Sequence, residues 1–407
     1  MSDALTGARM LYLIGEPGGA ERVDVSDLFA DRLAGMGLEI DYVLFSGEAG
    51  RFWIEQEWHG ARAFVTGVSR KQGLVGRVLN KLIEFAVDLR TCLQVLSEPY
   101  DIIQVRDKFV VAVLALFAAR LKRKRFCYWC SYPFAEGRIL DGREGRSAYP
   151  MLSIMGGTVA KWLLYKVIMP GADHVFVQSQ QMLDDCAAEG VAPDKMTPVP
   201  MGVSEALFET SPLPVEPNTV LYLGTMARVR RLDVLLDALK IIRETNDQVR
   251  LIMVGAGPDP ADLDYLRRCA ERNGLQSFVE FTGLLSMQDA HARVAQAAVC
   301  ISPFFPTSIL QSTSPTKISE YMALGRPVVA NSHPEQSVII EQSGAGICVE
   351  WSAQEFADAV MTLLSDPVRA EEKAARGRDY VRRNRIYPVI APIVAEPYLQ
   401  MLADRYD

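Results

Sequence analysis

Short apolar runs that end in a loop and are followed by a helix-period segment recur along this chain, and that alternation constrains the fold more than any other feature. Residues 10–14 (MLYLI) form the first run. Gly15-Glu-Pro-Gly18-Gly19-Ala follows, and Val25, Leu28, Phe29, Leu33 and Met36 then fall at helical spacing. Residues 38–45 resume strand character, so the segment reads as strand, helix, strand with a right-handed parallel crossover. The pattern continues with strands expected at 101–105, 125–130 and 174–178 and a helix around 110–121. A second set starts at 220–223, where Leu232, Leu235, Leu236, Leu239 and Ile242 mark a strong amphipathic helix, and runs through strands at 250–254, 279–281, 299–302 and 327–330. The chain is therefore expected to be α/β, with two doubly wound, Rossmann-like domains.

A length of 407 residues exceeds what one hydrophobic core usually supports, which agrees with two domains. The segment FETSPLPVEPN, with three prolines, is the clearest linker. It sets the expected division: 1–207, a linker at 208–217, 218–383, and a C-terminal segment 384–407 with a short helix opened by Pro397. Acidic residues exceed basic ones, 50 to 43, for a net charge of −7, which argues against a nucleic-acid binder built on phosphate neutralisation. Lys122-Arg123-Lys124-Arg125 is a local exception, readable as a solvated helix end or as a patch for lipid headgroups or nucleic acid. The seven cysteines lack the dense spacing of a disulfide scaffold, which points to a reducing cytoplasm. Cys127-Tyr-Trp-Cys130 reads as buried strand rather than redox site. The N-terminus lacks signal-peptide features. Residues 151–170 are apolar but carry Lys161 and Lys166, so amphipathic packing or shallow attachment is expected rather than a spanning helix.

In open parallel sheets ligands settle beyond the carboxyl ends of the strands, so the residues just after strands are the candidates. Gly18 and Gly19 would let a ligand approach the first helix closely; two glycines are equally the mark of a plain turn. Gly255-Ala-Gly257-Pro258 is no dinucleotide fingerprint, because prolines stand where the third glycine and helix belong. Gly224 with Arg228, Arg230 and Arg231 follows the 220–223 strand, and guanidinium groups suit a diphosphate. In SPTKISEYMALGRPVVAN, Ser314 is expected as helix cap and Pro315 as first helical residue. That leaves free N–H groups near Thr316 and Lys317 to face an anion. Glu320 lies five residues beyond Pro315, about 7.5 Å along the axis at about 1.5 Å per residue, where a carboxylate can take both hydroxyls of a ribose. A salt-bridged surface helix is the competing reading of Lys317 and Glu320. Arg106 and Asp107 follow one strand of the first domain and Tyr132 another, so these three also sit where a ligand should arrive. No set of residues suggests a metal site. His174 is expected to be structural, and His333 is open between structure and function.

The stretch EYMALGRPVVA, together with VLYLGTMARVRRLDVLLDAL, LIMVGAGP and VEFTGLLS, resembles the nucleotide-sugar domain of family 4 retaining glycosyltransferases of the GT-B fold (glycosyl transferases group 1). The resemblance is good over the C-terminal half and looser over the N-terminal half, where Gly18-Gly19 is similar to the glycine loop. Glu320 matches the second glutamate of the family's E-x7-E motif, and Ser312 stands where the first is expected. Pro315, Lys317, Glu320 and Tyr321 match a variant pattern that also lacks it. Arg230 matches the usual phosphate-binding lysine, and Arg228 substitutes for the usual arginine, whose place Thr225 holds.

The resemblance implies two domains facing across a cleft, with the C-terminal helix of 384–407 crossing back to the first domain. It further implies transfer of a sugar from a nucleoside diphosphate sugar to a saccharide or lipid-linked acceptor with retention of configuration (EC 2.4), in exopolysaccharide or other surface polysaccharide biosynthesis. Arg228, Arg230 and Lys317 would stabilise the leaving diphosphate, Gly18, Gly19, Gly224, Ser314, Thr316 and Glu320 would hold the donor, and Arg106, Asp107 and Tyr132 would meet the acceptor. No cofactor or metal is expected, because the donor phosphate itself would serve as base; a nucleic-acid partner is not expected either. The expected location is cytoplasmic, peripheral at the inner face of the membrane. Two alternatives stay open: a silent nucleotide-sugar-binding homologue, made plausible by Ser312, and a GT-B sugar-nucleotide epimerase. A phosphorylase would need a cofactor lysine that no context identifies.

Overall fold

The computed structural model of the chain describes residues 4–17, 22–49, 52–68, 73–209 and 213–403. It divides into two units, residues 1–200 with 387–407, and 201–386. The first holds strands β1 (Arg9–Pro17), β2 (Glu39–Ala49), β3 (Ile54–Trp58), β4 (Ala61–Val68), β5 (Ile102–Arg106), β6 (Arg125–Cys130), β7 (His174–Val177) and β8 (Met196–Pro198). They form one sheet in the order β3-β4-β2-β1-β5-β6-β7-β8. All pairs are parallel except β3 with β4. The strands nearest the centre read as continuous apolar runs because both faces are covered. Leu11, Leu13, Val105 and Tyr128 pack on one face against helices Gly73–Ser97 and Val110–Leu121. Met10, Tyr12, Ile40 and Trp129 pack on the other against the π-type helix Asp24–Leu33 and the helix Tyr387–Ala403.

The second unit carries β9 (Glu216–Leu223), β10 (Arg250–Val254), β11 (Val279–Gly283), β12 (Ala297–Ser302), β13 (Val328–Asn331) and β14 (Gly346–Val349). Their order is β11-β10-β9-β12-β13-β14, all parallel. The chain thus winds outward from β9 in one direction and then returns to wind outward from β12 in the other. The strand order reverses between β9 and β12, and their carboxyl ends form the crevice where such sheets take ligands. The predicted amphipathic helix runs Asp233–Arg243 and buries Leu235, Leu236, Leu239 and Ile242. Fully burying one such side chain contributes about 1.5–3 kcal/mol before conformational entropy is subtracted.

Two expectations are corrected and one element is new. The proline-rich stretch is not where the units divide. Already at Met201 the backbone N–H donates to Ser314 Oγ at 2.9 Å, Val203 bridges Ile386, and Leu207 is buried in the second unit's core. The last helix is not a short one opened by Pro397 but the long Tyr387–Ala403, with Pro392 and Pro397 inside it. Each proline forfeits one helical hydrogen bond, and burial of Ile390, Val394, Tyr398 and Met401 in the first unit's core outweighs that loss. Finally, the strand pair β3–β4 went unpredicted, because β3 (IEQEW) exposes nearly every side chain and shows no alternation. Cys127 and Cys130, three apart in β6, enter opposite faces of the sheet, so the pair cannot bridge. Burial pushes both thiols well above the usual range.

Candidate functional site

At the β9–β12 crevice the β9 loop and the helix Thr316–Ala323 meet in direct contact. Gly224 has φ +144°, and a Cβ there would come within 2.3 Å of Lys317 Cε, so only glycine lets the lysine lie across this loop. Gly255, φ +125°, follows the same logic: its Cβ would fall 2.3 Å from the Gly224 carbonyl oxygen. The β9 and β10 loops are stacked further by Gly224 N–H donating to Val254 O at 2.9 Å and Met226 N–H to Ala256 O at 3.0 Å. Tyr321 completes the frame. Its hydroxyl accepts from Leu223 N–H at 2.8 Å, pinning the helix to the end of β9.

Lys317 is half-buried, with Nζ 4.9 Å from the Phe304 ring centre and 5.4 Å from that of Tyr222. Arg230 is half-buried too, its Cζ 5.7 Å from the same Phe304 ring and its Nη1 buried with no hydrogen-bond partner among the described residues. Burial holds the Lys317 ammonium well below the ordinary lysine range; the Arg230 cation adds to this, and Glu320 opposes it. Burial also raises the half-buried Glu320 carboxyl, against the pull of Lys317. Lys317 and Glu320 therefore sense each other electrostatically but are not the salt-bridged surface pair that their spacing allows. Two half-buried cations lie over the same Phe304 ring, and among the described residues neither forms an ion pair with a carboxylate. That arrangement favours an incoming anion.

The remaining predicted donor-side residues divide. Thr316 is the first helical residue; the cap position is Pro315, with no side-chain cap, so the first-turn N–H groups stay free of one. Ser314 is not the cap expected: Pro315 holds the cap position, and the hydroxyl of the buried Ser314 accepts from Met201 N–H. Arg228 is exposed, stacked 4.2 Å over the Tyr265 ring, with its N–H on Asp262. Arg231 is likewise exposed. Gly18 and Gly19 lie outside the described residues. Ser312 is buried at the end of the short helix Ser308–Gln311. His333 caps the helix Pro334–Ser343: Nε2 lies 2.9 Å from the Leu310 carbonyl and Nδ1 accepts from Glu335 N–H at 3.2 Å, which fixes a neutral tautomer and a structural role. His174 Nε2 lies 2.9 Å from Thr197 Oγ1, again within structure.

In the first unit the acceptor-side expectation for Arg106 is corrected. Its side chain has no exposed surface, and Nη1 donates to Asp24 at 2.7 Å. A guanidinium so enclosed orders the start of the Asp24 helix instead of meeting an acceptor. Asp107, at φ +54°, turns its carboxylate to Ser131, whose N–H donates at 2.8 Å. Tyr132 is half-buried, 4.9 Å from the Phe134 ring. These two therefore shape the loop after β6. Sequence reasoning missed Tyr321 as the link between helix and strand and Phe304 as the ring beneath both cations. Their contacts join segments far apart in sequence, and no local pattern announces them. Among the described residues no three His, Cys, Asp or Glu groups are placed to hold a metal.

Comparison with known proteins matches residues 23–202 to the family described as "Glycosyl transferase 4-like domain" and residues 217–366 to "Glycosyl transferases group 1". A GDP-mannose-dependent alpha-(1-6)-phosphatidylinositol monomannoside mannosyltransferase of Mycobacterium tuberculosis is 30% identical over 210 residues, 51% of this chain and 53% of that protein. The match thus spans about half the length of that relative. Among solved structures, sucrose-phosphate synthase from Thermosynechococcus elongatus superposes with TM-score 0.73 at 19% identity, covering 98% of this chain and 100% of that one. HepE of Anabaena, in complex with UDP and glucose, gives TM-score 0.68 at 18% identity, over 95% and 98% of the two chains. Both likenesses show the two-unit GT-B fold.

Proposed function

Because the chain belongs to the group 1 glycosyltransferases, we propose that it moves a sugar from a nucleoside diphosphate sugar to a saccharide or lipid-linked saccharide acceptor, with retention of configuration. The observation that carries this reading is the facing pair Arg230 and Lys317 at the β9–β12 crevice. Negative charge grows on the diphosphate as the glycosidic bond breaks, and these cations, with the uncapped first turn at Thr316, stabilise it. Arg228 reaches the outer phosphate from the exposed edge of the same loop, and Gly224 admits the diphosphate close to the backbone. Glu320, one helical turn on, accepts from the ribose hydroxyls. Loss of one such charge-stabilising group costs about 10²- to 10³-fold in rate by analogy with oxyanion holes. The donor phosphate accepts the acceptor proton, and no cofactor or metal takes part.

The mannosyltransferase relative makes GDP-mannose the first donor to test and a lipid-linked acceptor the first acceptor, in surface polysaccharide synthesis. A peripheral position at the inner face of the membrane fits the helix Pro150–Leu163, which exposes Met151, Leu152, Met155, Val159 and Trp162 along one side. The continuous helical stretch Pro150–Gly171 is long and apolar enough to cross a membrane by length and composition, yet its far end packs Leu164, Ile168 and Met169 into the first unit's core. Sedimentation with anionic vesicles checks the attachment: Trp162→Ser with Met155→Ser should lower the bound fraction, and equal binding would refute it.

Titrating GDP-, UDP-, ADP- and dTDP-sugars with thermal stability and donor hydrolysis as readouts tests the reading. One nucleotide should stabilise the protein, by roughly 2.7 kcal/mol at about 100 times its dissociation constant. Glu320→Ala and Lys317→Ala should weaken the effect, and slow hydrolysis should accompany it. Stabilisation without turnover in the presence of acceptor would favour a silent binder, the reading that Ser312 in place of glutamate supports; no response to any donor would reject both.

A further inference from the structure

The second unit has another concavity, at the opposite end of its sheet from the cation pair. A cavity of about 490 Å³ opens beside the amino ends of β9, β12 and β13, within the range of small-molecule sites. Its walls are apolar: Leu363 and Leu364 from the helix Ala353–Ser365, Ala370 and Ala374 from the helix Pro367–Asn384, and Pro217 from β9. One cation stands in this lining. Arg326 follows Gly325, which closes the Thr316 helix in a left-handed turn, with Gly325 N–H donating to Met322 O and Arg326 N–H to Tyr321 O.

That turn fixes the guanidinium at the cavity wall with its bonding incomplete. Nη1 reaches the Ala297 carbonyl only at 3.4 Å, and Nε is buried with no hydrogen-bond partner among the described residues. A guanidinium whose Nε is enclosed without a partner is under-bonded, so an acceptor entering the cavity at its remaining edge would strengthen its bonding. Burial holds Arg326 below the usual arginine range; Cys300 and Glu371 oppose this, and Arg378 adds to it. Glu371 also lines the cavity. A wall with one unsatisfied guanidinium edge and one carboxylate favours a monoanion over a doubly charged phosphate.

We propose that this cavity binds a small amphiphilic monoanion, an apolar body ending in one carboxylate that bonds to Arg326. The site uses none of the residues of the diphosphate crevice, so it stands or falls independently of the donor assignment. Octanoate is the probe, with octanol as its uncharged counterpart, followed by calorimetry and by methyl NMR at Leu363, Leu364, Ala370 and Ala374. The expected result is saturable one-to-one binding of octanoate that perturbs these methyls, with octanol weaker by about tenfold or more. Arg326→Met should weaken octanoate about tenfold or more, and Glu371→Gln, an exposed substitution that spares the fold, should tighten it. Lys317→Ala should leave octanoate binding unchanged. Absence of saturable binding, equal affinity for octanol, no tightening by Glu371→Gln, or a loss caused by Lys317→Ala instead of Arg326→Met would overturn the proposal.

Discussion

Lys317 shows how much a single residue draws on its surroundings. A lysine in water keeps its proton to about pH 10, whereas burial and the Arg230 cation push this one well lower. Rising pH therefore discharges it early, and diphosphate affinity should fall on the alkaline side before an ordinary lysine titrates. Lys317→Arg should flatten that limb in a calorimetric pH series. Identical profiles for both proteins would mean that Lys317 does not face the phosphates. His333 carries the opposite consequence for stability. Burial, offset in part by its bond to Leu310, lowers its pKa from 6.5 to about 4. A depressed folded-state pKa means that its contribution is present above about pH 6.5 and is lost as pH falls toward 4. At full protonation the loss is on the order of 3 kcal/mol. His174, also lowered to about 4 by burial, adds to the same slope. His333→Asn keeps a capping acceptor and removes the charge change, so denaturant midpoints measured between pH 7 and 4.5 should decline less steeply than in the parent. An unchanged slope would locate the acid sensitivity elsewhere.

At the scale of elements, the Thr316 helix is held to β9 by one hydroxyl. Tyr321→Phe removes the bond to Leu223 and leaves a buried N–H unsatisfied, at a cost of about 1–3 kcal/mol. Because that bond also positions the Gly224 loop, nucleotide affinity should fall together with the melting temperature; a loss of stability with intact affinity would separate the two roles. Elements with a strong local signature were legible in the sequence. The strands Arg125–Cys130 and Arg250–Val254 and the helix Val110–Leu121 fall where apolar runs and helical spacing place them. The crevice was legible as well, since Gly224, Arg230, Thr316 and Lys317 follow strands or open a helix. What stayed hidden depends on partners distant in the chain. Arg106 looks like a surface cation until Asp24, 82 residues earlier, is packed against it. Ser314 reads as a helix cap until Met201 claims its hydroxyl. Pro392 and Pro397 read as helix breakers because the core that overrides them belongs to the other end of the sequence.

For the whole molecule, two sheets with separate cores imply two cooperative units. Calorimetry should resolve two unfolding transitions, and the preferred nucleotide should raise only the one belonging to residues 201–386, which holds both cations and Glu320. A single transition shifted as a whole would show the units to be energetically inseparable. The chain leaves the first unit after Pro200 and returns at Tyr387, and the returning helix covers one face of the first sheet. On the ribosome this order matters. At roughly 5–20 residues per second the second unit takes on the order of ten to forty seconds to emerge, and for that interval one apolar face of the nascent first sheet is covered by the Asp24–Leu33 helix but lacks its second helix. The unit that is begun first is the one that must be finished last, so nascent chains stalled at Ile386 are the point at which chaperone dependence should be greatest.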